Sequence, residues 1–417
     1  MSVERFSIGF GSDAQSAAVR VHSLAPGAES VAEAVRAIVA DVREHGDGAL
    51  RRYVERFDHG ADGDLLVPAD RAAAALDALD PAVRAGLEVG MANVRTVAEA
   101  DVGADVEVRL AQGHTVRLRD VPVRRGAVYV PGGRAPYPST VVMGVVTARA
   151  AGVEEVLVCA PGAHPAILAA CALCGADAVF GMGGAHAVAA LAYGTETVPR
   201  ADVIVGPGSL YVQEAKRLVS GDVGIDGFAG PSDVLILATG DADPRLIAMD
   251  LLAQAEHGTG TVAALVTDDG TLLEAVAQRL EAEAIDGFEA ACALVLAPDV
   301  ATGLAVAEAF APEHLQLMGA GAEALAGDVR SAGCVFVGRE SATAFGDYVA
   351  GSNHTLPTGG AARFTSGLST RQFRRRMSVV RIGAAADALA RAGVPVAEAE
   401  GFTRHADSMR VRENPSG

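Results

Sequence analysis

The stretch Val156-Leu-Val-Cys159-Ala-Pro-Gly162 shows the pattern that decides the predicted fold, a short apolar run that ends in a glycine turn. The same pattern recurs at Ala127–Val130 before Pro-Gly-Gly, at Ala178–Phe180 before Gly-Met-Gly-Gly, and at Val203–Val205 before Gly-Pro-Gly. These runs lie about 25 residues apart with helical segments between them, which is the spacing of βα units in a parallel sheet. Ligands of such sheets gather at the carboxyl ends of the strands, where these glycines fall.

A second series of apolar runs downstream predicts a second sheet. Its members are Val234–Leu237, Val262–Thr267, Leu294–Leu296, His314–Met318 and Val335–Val337. We therefore expect an α/β protein with two incomplete Rossmann-like parallel-sheet domains, one inserted in the other. The predicted boundaries are 22–128 and 234–367 for the discontinuous first domain, 129–233 for the inserted domain, 1–21 for an N-terminal segment and 368–417 for a small, mostly helical C-terminal domain.

The region upstream of the first series has different patterns. Residues 28–57 repeat apolar side chains at helical spacing with charges between them, which predicts an amphipathic helix. A second helical stretch is expected near residues 69–100. Residues 106–130 alternate apolar and polar side chains around a turn at Gly113, which predicts strands.

The composition of the 417-residue chain excludes several classes of protein. A net charge of -18 argues against wrapping a nucleic acid or docking on an anionic membrane, although backbone dipoles can still bind an anionic cofactor. No signal-peptide pattern opens the chain, and its most apolar region, residues 166–194, is interrupted by polar residues and glycines, so it is a poor membrane span.

The five cysteines have no disulfide-like spacing, which predicts a reducing, cytoplasmic location. Cys171-Ala-Leu-Cys174 has the C-x-x-C spacing but lies in an apolar helical stretch with no second pair. We therefore expect two buried helical thiols there rather than half of a zinc site.

Glycine loops point towards a nucleotide. Gly181-Met-Gly183-Gly184 follows a predicted strand and precedes a helix, which partly matches a dinucleotide-binding loop. Its third glycine is misplaced, and no acidic residue ends a second strand at the expected distance. Together with the glycine turns after Val130 and Val205, the motif favours nucleotide binding. Tight βα turns without a ligand are the alternative.

Two motifs combine imidazole and carboxyl or amide groups. Gln254-Ala-Glu-His257 lies in a predicted helix, where positions three apart share a face, so Gln254 Oε1 and a His257 ring nitrogen can converge on zinc. Exposed side chains without a metal are the alternative. Ala311-Pro-Glu313-His314 places an acid beside an imidazole at a helix-to-strand junction, which suits acid–base catalysis. A capped strand entry is the alternative there.

Two polar segments follow these motifs. Residues 346–360 form a glycine-rich loop whose dense polar side chains are typical of a binding surface. Within it, Asp347 is a candidate metal ligand and His354 a candidate substrate contact, with a solvated loop as the alternative. Glu400-Gly-Phe-Thr-Arg-His405 indicates, by itself, only the start of a solvated helix.

Taken together, these segments resemble the histidinol dehydrogenase family from roughly residue 28 to residue 412. The matching pieces are Tyr129-Val-Pro-Gly-Gly, Gly183-Gly-Ala-His-Ala-Val-Ala-Ala-Leu-Ala-Tyr-Gly-Thr, Gly206-Pro-Gly-Ser-Leu-Tyr-Val, Ala229-Gly-Pro-Ser-Asp-Val-Leu, Gln254-Ala-Glu-His-Gly, Ala311-Pro-Glu-His-Leu, and Gly346-Asp-Tyr through Pro357-Thr-Gly-Gly. So many motifs in one order are a specific signal.

The resemblance implies an activity and a set of roles. The family oxidises L-histidinol to L-histidine through the aldehyde and reduces two NAD, as the last step of histidine biosynthesis. By motif, Glu313 and His314 correspond to the acid–base pair. The implied zinc ligands, which also border the substrate with His314, are Gln254, His257, Asp347 and His405. Further implied substrate contacts are Ser232, His354 and Glu400, and the implied NAD contacts are Tyr129, His186 and Ser209. The family forms an intertwined homodimer in which the tail, with Glu400 and His405, crosses to the partner subunit.

Two positions depart from the family pattern. His186 stands where the family usually has Gln, and Ser209 stands where it usually has Asn. Both belong to the implied NAD-binding segment, so these departures affect the expected affinity or preference for the cofactor.

Two other functions compete with this interpretation. The first is a paralogue that oxidises another polar alcohol, such as a sulfonated propanediol, on the same zinc and acid–base residues. Glu400 and His354 favour histidinol, because an anionic substrate would be repelled by Glu400. The second is a catalytically silent metal-binding protein, against which the intact Glu313 and His314 argue.

Overall fold

The computed structural model describes residues 2–9, 14–24, 31–58, 65–132, 135–227, 230–283 and 290–413. Gly133 and Ala229, which belong to two of the motifs above, lie outside the described residues. The chain divides into two compact units. The first unit comprises Met1–Asp101 and Val123–Phe373, and the second comprises Val102–Pro122 and Arg374–Gly417.

The fold is mixed α/β, as predicted. The strands of the described residues are β1 (Ser2–Ser7), β2 (Val106–Arg109), β3 (Thr115–Pro122), β4 (Arg125–Tyr129), β5 (Glu155–Cys159), β6 (Ala178–Phe180), β7 (Val203–Val205), β8 (Gly224–Ile225), β9 (Asp233–Ala238), β10 (Val262–Thr267), β11 (Ala291–Leu296), β12 (His314–Met318), β13 (Cys334–Val337) and β14 (Arg374–Arg381).

The α-helices of the described residues are α1 (Ala14–His22), α2 (Ala32–Phe57), α3 (Ala69–Asp77), α4 (Pro81–Asp101), α5 (Pro138–Val141), α6 (Thr147–Ala150), α7 (Pro165–Cys174), α8 (Gly184–Tyr193), α9 (Leu210–Val219), α10 (Pro244–Ala255), α11 (Gly270–Glu283), α12 (Val300–Phe310), α13 (Ala320–Glu323), α14 (Thr343–Tyr348), α15 (Ala386–Ala399) and α16 (Thr403–Arg410). A π-helical stretch, Val142–Val146, joins α5 to α6. Within the described ranges, every helix is too short or too polar to cross a bilayer.

The first unit contains a five-stranded parallel sheet with the order β6-β5-β4-β7-β8. Its central strands are continuous apolar runs because helices cover both faces. Helices α2, α8 and α9 pack on one face, and α4, α7 and the π-helical stretch contribute to the core on the other. Small side chains allow close approach: a Cβ added at Gly144 would lie 2.4 Å from Val128 Cγ1. Among the described residues, the buried aromatic side chains of these two clusters are Tyr129, Phe180 and Phe373.

The first unit also contains a six-stranded parallel sheet with the order β1-β11-β10-β9-β12-β13. Helices α1 and α12 cover one face, and α10 and α11 cover the other. All five strands predicted for the second series are present, within a few residues of their predicted limits. The central position of β9, between β10 and β12, brings the amino ends of β9 and β12 side by side.

Three strands of the described residues were not predicted from the sequence, namely β1, β14 and the two-residue β8. β1 pairs with β11 at the edge of the six-stranded sheet, where the adjacent residues Glu4 and Arg5 remain at least partly exposed. β14 pairs antiparallel with β3. The strand is rich in arginine and largely exposed, so its sequence lacks the apolar run that would predict it. Arg376 donates to Asp120 Oδ1 of β3 at 2.9 Å. The C-terminal region was expected to be mostly helical, and the structure shows that a strand precedes its helices.

The second unit combines the antiparallel sheet β14-β3-β2 with α15 and α16. The two helices pack through Val394, Ala397, Ala406 and Met409. Pro395 lies inside α15.

The buried cysteines give a test of the described core. Cys159, Cys171, Cys174 and Cys292 are free and buried, and burial raises the pKa of Cys174 and Cys292 to about 12. Because the thiolate is the reactive form, we expect only the half-buried Cys334 to react with a disulfide reagent at pH 8 in the native protein. All five should react after denaturation, and Cys334→Ser should abolish the native reaction. Rapid native labelling of Cys171 or Cys174, mapped by mass spectrometry, would contradict the packing of α7.

Candidate functional site

Helix α10 positions two of the predicted site residues. Asp243 caps the helix by accepting the Arg245 N–H, and Pro244 occupies its first turn, so the start of the helix is well defined. Gln254 is buried in the last turn, and His257 follows the helix in the turn that leads to β10. The prediction placed both residues on one face of a helix, but α10 ends at Ala255, so Gln254 is helical and His257 is not.

The segment between α12 and β12 positions Glu313 and His314. Asp299 caps α12 by accepting the Thr302 N–H, and the helix ends at Ala311, whose φ of 50° is in the left-handed region. That conformation costs a non-glycine residue roughly 1–2 kcal/mol, and it redirects the chain into β12. Glu313 and His314 are both buried at the amino end of this strand.

The Glu313 carboxylate is held from one side only. Ser232 Oγ donates to Glu313 Oε2 at 2.6 Å, and the Asp233 N–H donates to the same oxygen at 3.0 Å. Gln254 Nε2 in turn donates to Ser232 Oγ at 2.6 Å. Among the described residues no group bonds to Glu313 Oε1, so this oxygen is available to a ligand of the pocket.

Asp233 connects Glu313 with His314. Its Oδ1 accepts the Glu313 N–H at 2.7 Å, and its Oδ2 accepts the Gly359 N–H at 3.3 Å. His314 Nδ1 lies 3.2 Å from the Asp233 carbonyl oxygen. Because a carbonyl only accepts, Nδ1 carries the proton, and Nε2 of the neutral ring has the free lone pair. His314 is thus oriented as a base through Nε2.

The two adjacent buried carboxyl groups are easier to protonate than usual. Burial raises the pKa of Glu313 to about 8. Burial and the neighbouring Glu313 carboxylate raise the pKa of Asp233 to about 7. Both groups therefore titrate near neutral pH, the range in which a general acid or base is effective.

Asp347, in the last turn of α14, and His354, in the loop that follows this helix, face the pair. Asp347 Oδ1 lies 4.0 Å from His314 Nε2. His354 Nδ1 donates to the Asp347 carbonyl oxygen at 3.0 Å, and His354 Nε2 accepts from Thr140 Oγ1 at 3.2 Å. Burial lowers the pKa of His354, against the opposing effect of the Asp347 carboxylate. His354 is therefore a neutral imidazole held at both nitrogens.

These side chains surround one pocket of about 420 Å³ within the first unit. The amino ends of β9 and β12 form one wall, and the loop after the carboxyl end of β7, with Ser209, forms another. Ligand binding was expected at the carboxyl ends of the strands. Only the five-stranded sheet contributes a carboxyl end to this pocket, because the six-stranded sheet contributes amino ends. The predicted residues that line it are Ser209, Ser232, His257, Glu313, His314, Asp347 and His354.

Two predicted NAD contacts, Tyr129 and His186, are not among the residues that line the pocket. Tyr129 is buried, and its hydroxyl oxygen accepts the Gly184 N–H at 3.0 Å. His186 is buried too, with Nε2 3.0 Å from Asp58 Oδ2 and its ring stacked on Tyr53. Asp58 Oδ2 also accepts the Gly183 N–H at 2.8 Å. Tyr129 and His186 therefore both support the Gly183–Gly184 turn.

Glu400 and His405 belong to the second unit. Glu400 follows the last residue of α15, and His405 lies in α16 with its ring against Phe402. Both side chains are exposed in the single chain.

Sequence reasoning missed two residues of the site. Asp233 belongs to the motif Ala229-Gly-Pro-Ser-Asp-Val-Leu. A carboxylate at the first position of an apolar, buried strand is the feature that could have identified it. Thr140 lies in an unremarkable apolar segment, and its contact with His354 joins residues 214 positions apart, which a single sequence does not indicate.

The donor set fits a divalent metal. In the described part of one chain, no three His, Cys, Asp or Glu side chains are grouped to hold a metal ion. His257 and Asp347 nevertheless line the same pocket, and the Gln254 side chain, whose Nε2 donates to Ser232, has its amide oxygen Oε1 without a hydrogen bond among the described residues. One imidazole nitrogen and two oxygens suit zinc with further positions open.

Known proteins with a similar sequence agree on one family. The family model described as histidinol dehydrogenase matches residues 24–413. A histidinol dehydrogenase of Haloarcula marismortui is 44% identical over 405 residues, covering 93% of this chain and 94% of that protein. One from Nocardia farcinica is 44% identical over 409 residues, covering 92% of each.

A solved structure gives the same result. The crystal structure of histidinol dehydrogenase from Elizabethkingia anophelis matches with a TM-score of 0.89 at 29% identity, over 99% of this chain and 98% of that one. The similarity extends over nearly the whole length of the chain in both sequence and fold, and this chain belongs to the histidinol dehydrogenase family.

Proposed function

We propose that this enzyme carries out the zinc-dependent, four-electron oxidation of L-histidinol to L-histidine through the aldehyde, with reduction of two NAD, as the last step of histidine biosynthesis. The observation that carries the proposal is the orientation of Glu313 and His314, whose Oε1 and Nε2 atoms are available at one pocket. Two successive oxidations with a hydration between them require a base for the alcohol and a base for water, and this pair supplies both.

In the proposed mechanism, His314 and Glu313 divide the proton transfers. His314 Nε2 accepts the hydroxyl proton of the alcohol, while NAD accepts the hydride. Glu313 Oε1 accepts a proton from the water that attacks the aldehyde carbon, while protonated His314 returns its proton to the aldehyde oxygen, which gives the hydrate and restores the neutral His314 base. His314 Nε2 then accepts a proton from the hydrate during the second oxidation. Ser232 and Asp233 hold Glu313 Oε2 throughout, so the carboxylate stays directed at the water.

The proposed metal ligands are Gln254, His257 and Asp347 of one chain and His405 of the partner subunit. A zinc ion there would coordinate the imidazole and amine of histidinol and fix the position of the carbinol carbon. Asp347 Oδ1 and His314 Nε2, at 4.0 Å, would then face the same substrate. Ser232, His354 and Glu400 of the partner subunit complete the proposed substrate contacts.

The charge distribution supports an intertwined homodimer. Residues 102–122 and 374–417, the second unit, carry 11 arginines and 8 acidic residues, whereas the rest of the chain carries 23 basic and 44 acidic residues. A basic unit of one chain and an acidic unit of another are electrostatically complementary. The exposure of Glu400 and His405 in the single chain is what donation to a partner requires.

The proposed NAD site adjoins Ser209 at the carboxyl end of β7. Tyr129 and His186 would act on NAD through the Gly183–Gly184 turn that they support. The two departures from the family pattern are thus unlike each other, because Ser209 lines the pocket and His186 is engaged with Asp58.

A comparison of substrates tests the function. The purified, zinc-loaded protein should form NADH with L-histidinol, and should be at least about 100-fold less active with L-alaninol, which lacks the imidazole that zinc would bind. Turnover of a sulfonated propanediol but not of histidinol would support the paralogue instead. No turnover of any alcohol despite bound zinc would support a silent metal-binding protein.

Variants of the base pair test the division of labour. His314→Asn should slow alcohol oxidation by about 10²–10⁴-fold, the usual contribution of a general base. Glu313→Gln should mainly slow the oxidation of added histidinal, because only that half-reaction needs water.

His45→Asn is the matched control for His314→Asn, and Glu340→Gln is the matched control for Glu313→Gln. Both controls change exposed side chains and should leave both half-reactions unchanged. A loss for Glu313→Gln in alcohol oxidation as large as its loss in aldehyde oxidation would contradict the assigned roles.

Mixed dimers test the donation of His405. His405→Ala and Glu313→Gln homodimers should each be nearly inactive in the complete reaction. A heterodimer of the two variant chains should regain one intact site, built from Glu313 of one chain and His405 of the other, and therefore about half of the wild-type activity per dimer. Heterodimers as inactive as their parents would show that His405 serves its own chain.

A further inference from the structure

Lys216 is the one lysine of a chain whose other 33 basic residues are all arginine. Its side chain is also fully buried, with a relative exposure of 0%. Buried lysines are rare because the ammonium group must leave water. A chain that uses arginine everywhere else thus places its single ammonium group in the interior of the first unit.

The contacts of Lys216 and of its partner Asp226 converge on a single residue, Gly206. From α9, its Nζ donates to the Gly206 carbonyl oxygen and to Asp226 Oδ1, the latter at 2.7 Å. Asp226 Oδ2 accepts the Gly206 N–H at 2.6 Å. Both backbone polar groups of Gly206 are therefore bonded to one ion pair.

Gly206 begins the loop that reaches the pocket. Its φ is 117°, and a Cβ there would lie 2.1 Å from the Tyr129 carbonyl oxygen, so only glycine fits. The next residues, Pro207, Gly208 and Ser209, line the pocket. A residue without side chain offers no packing contact of its own, and the ion pair supplies the contacts that fix this position of the chain.

The shape of the ammonium group explains why lysine stands here. One compact donor group reaches two oxygens from a fully enclosed position, whereas a planar guanidinium is wider and directs five N–H groups outwards. An arginine in this place would leave several donors unsatisfied in the core.

We propose that Lys216, acting through Asp226 and Gly206, is a positioning residue for the Gly206–Ser209 loop and thereby sets the affinity for NAD. This inference rests on the proposed function, because it takes the nucleotide to bind beside Ser209. Lys216 itself does not line the pocket, so its effect passes through the loop.

Steady-state kinetics of the zinc-loaded dimer test the proposal. Lys216→Met should raise the KM for NAD by about tenfold or more, with the KM for L-histidinol, kcat at saturating NAD and zinc content within about twofold of wild type. Arg217→Met, on the same helix but exposed and paired with Glu214, is the matched control and should leave all four quantities unchanged.

A double variant keeps the test decisive if the single one fails to fold. Lys216→Met alone leaves Asp226 buried without its counter-ion, whereas Lys216→Met with Asp226→Leu removes both charges. The double variant should fold and still show the raised KM for NAD. A wild-type KM for NAD in the double variant, or an equal rise in both KM values, would overturn the proposal.

Hydrogen exchange separates this inference from the proposed function. The Gly206 N–H, held by Asp226, should exchange slowly in the wild-type protein and at least about tenfold faster in the double variant. If the wild-type protein neither binds nor reduces NAD, the proposed function and the link between Lys216 and NAD affinity both fail. Faster exchange of the Gly206 N–H in the double variant would in that case still support a role of Lys216 in positioning the loop. Unchanged exchange in the double variant would overturn that role whatever the cofactor.

Discussion

The reciprocal hydrogen bonds between Asp233 and Glu313 are the interaction on which the site depends. The Asp233 N–H bonds the Glu313 carboxylate, the Glu313 N–H bonds the Asp233 carboxylate, and the Asp233 carbonyl oxygen orients His314. Buried hydrogen bonds to charged groups contribute about 1.5–3 kcal/mol each, and removal of one partner leaves the other desolvated. The same contacts that join β9 to the start of β12 therefore fix the direction of both bases, so the stability of this edge and the geometry of the chemistry are inseparable.

The pocket exists because the two sheets present opposite ends to it. The five-stranded sheet contributes the glycine loop at the carboxyl end of β7, where close backbone approach to a nucleotide is possible. The six-stranded sheet contributes the amino ends of β9 and β12, where the Asp233 and Glu313 carboxyl groups accept each other's backbone N–H. The loop proposed to bind the cofactor and the proposed acid–base pair thus line one cavity, and each is positioned by a different sheet.

The sequence predicted the parallel sheets well because continuous apolar runs and glycine turns are local signals. It did not indicate β1 or β14, since an edge strand with solvated side chains lacks an apolar run. For the site, helical spacing predicted that Gln254 and His257 converge, although His257 lies beyond the end of α10. Adjacency in the sequence explained why Glu313 and His314 lie together. No local rule relates Asp347 or His354 to that pair, because their contacts arise from the return of α14 and of the loop after it. The roles of Glu400 and His405 came from family resemblance alone.

The central claim is that one zinc ion, held by Gln254, His257 and Asp347 of one chain and by His405 of the partner subunit, orients the substrate in front of His314. Anomalous diffraction at the zinc edge from crystals of the zinc-loaded protein tests this claim most directly. The account predicts one peak per chain, within about 2.0–2.2 Å of the ligand atoms of all four residues. A peak bound by other side chains, or a fourth ligand from the same chain, would contradict it.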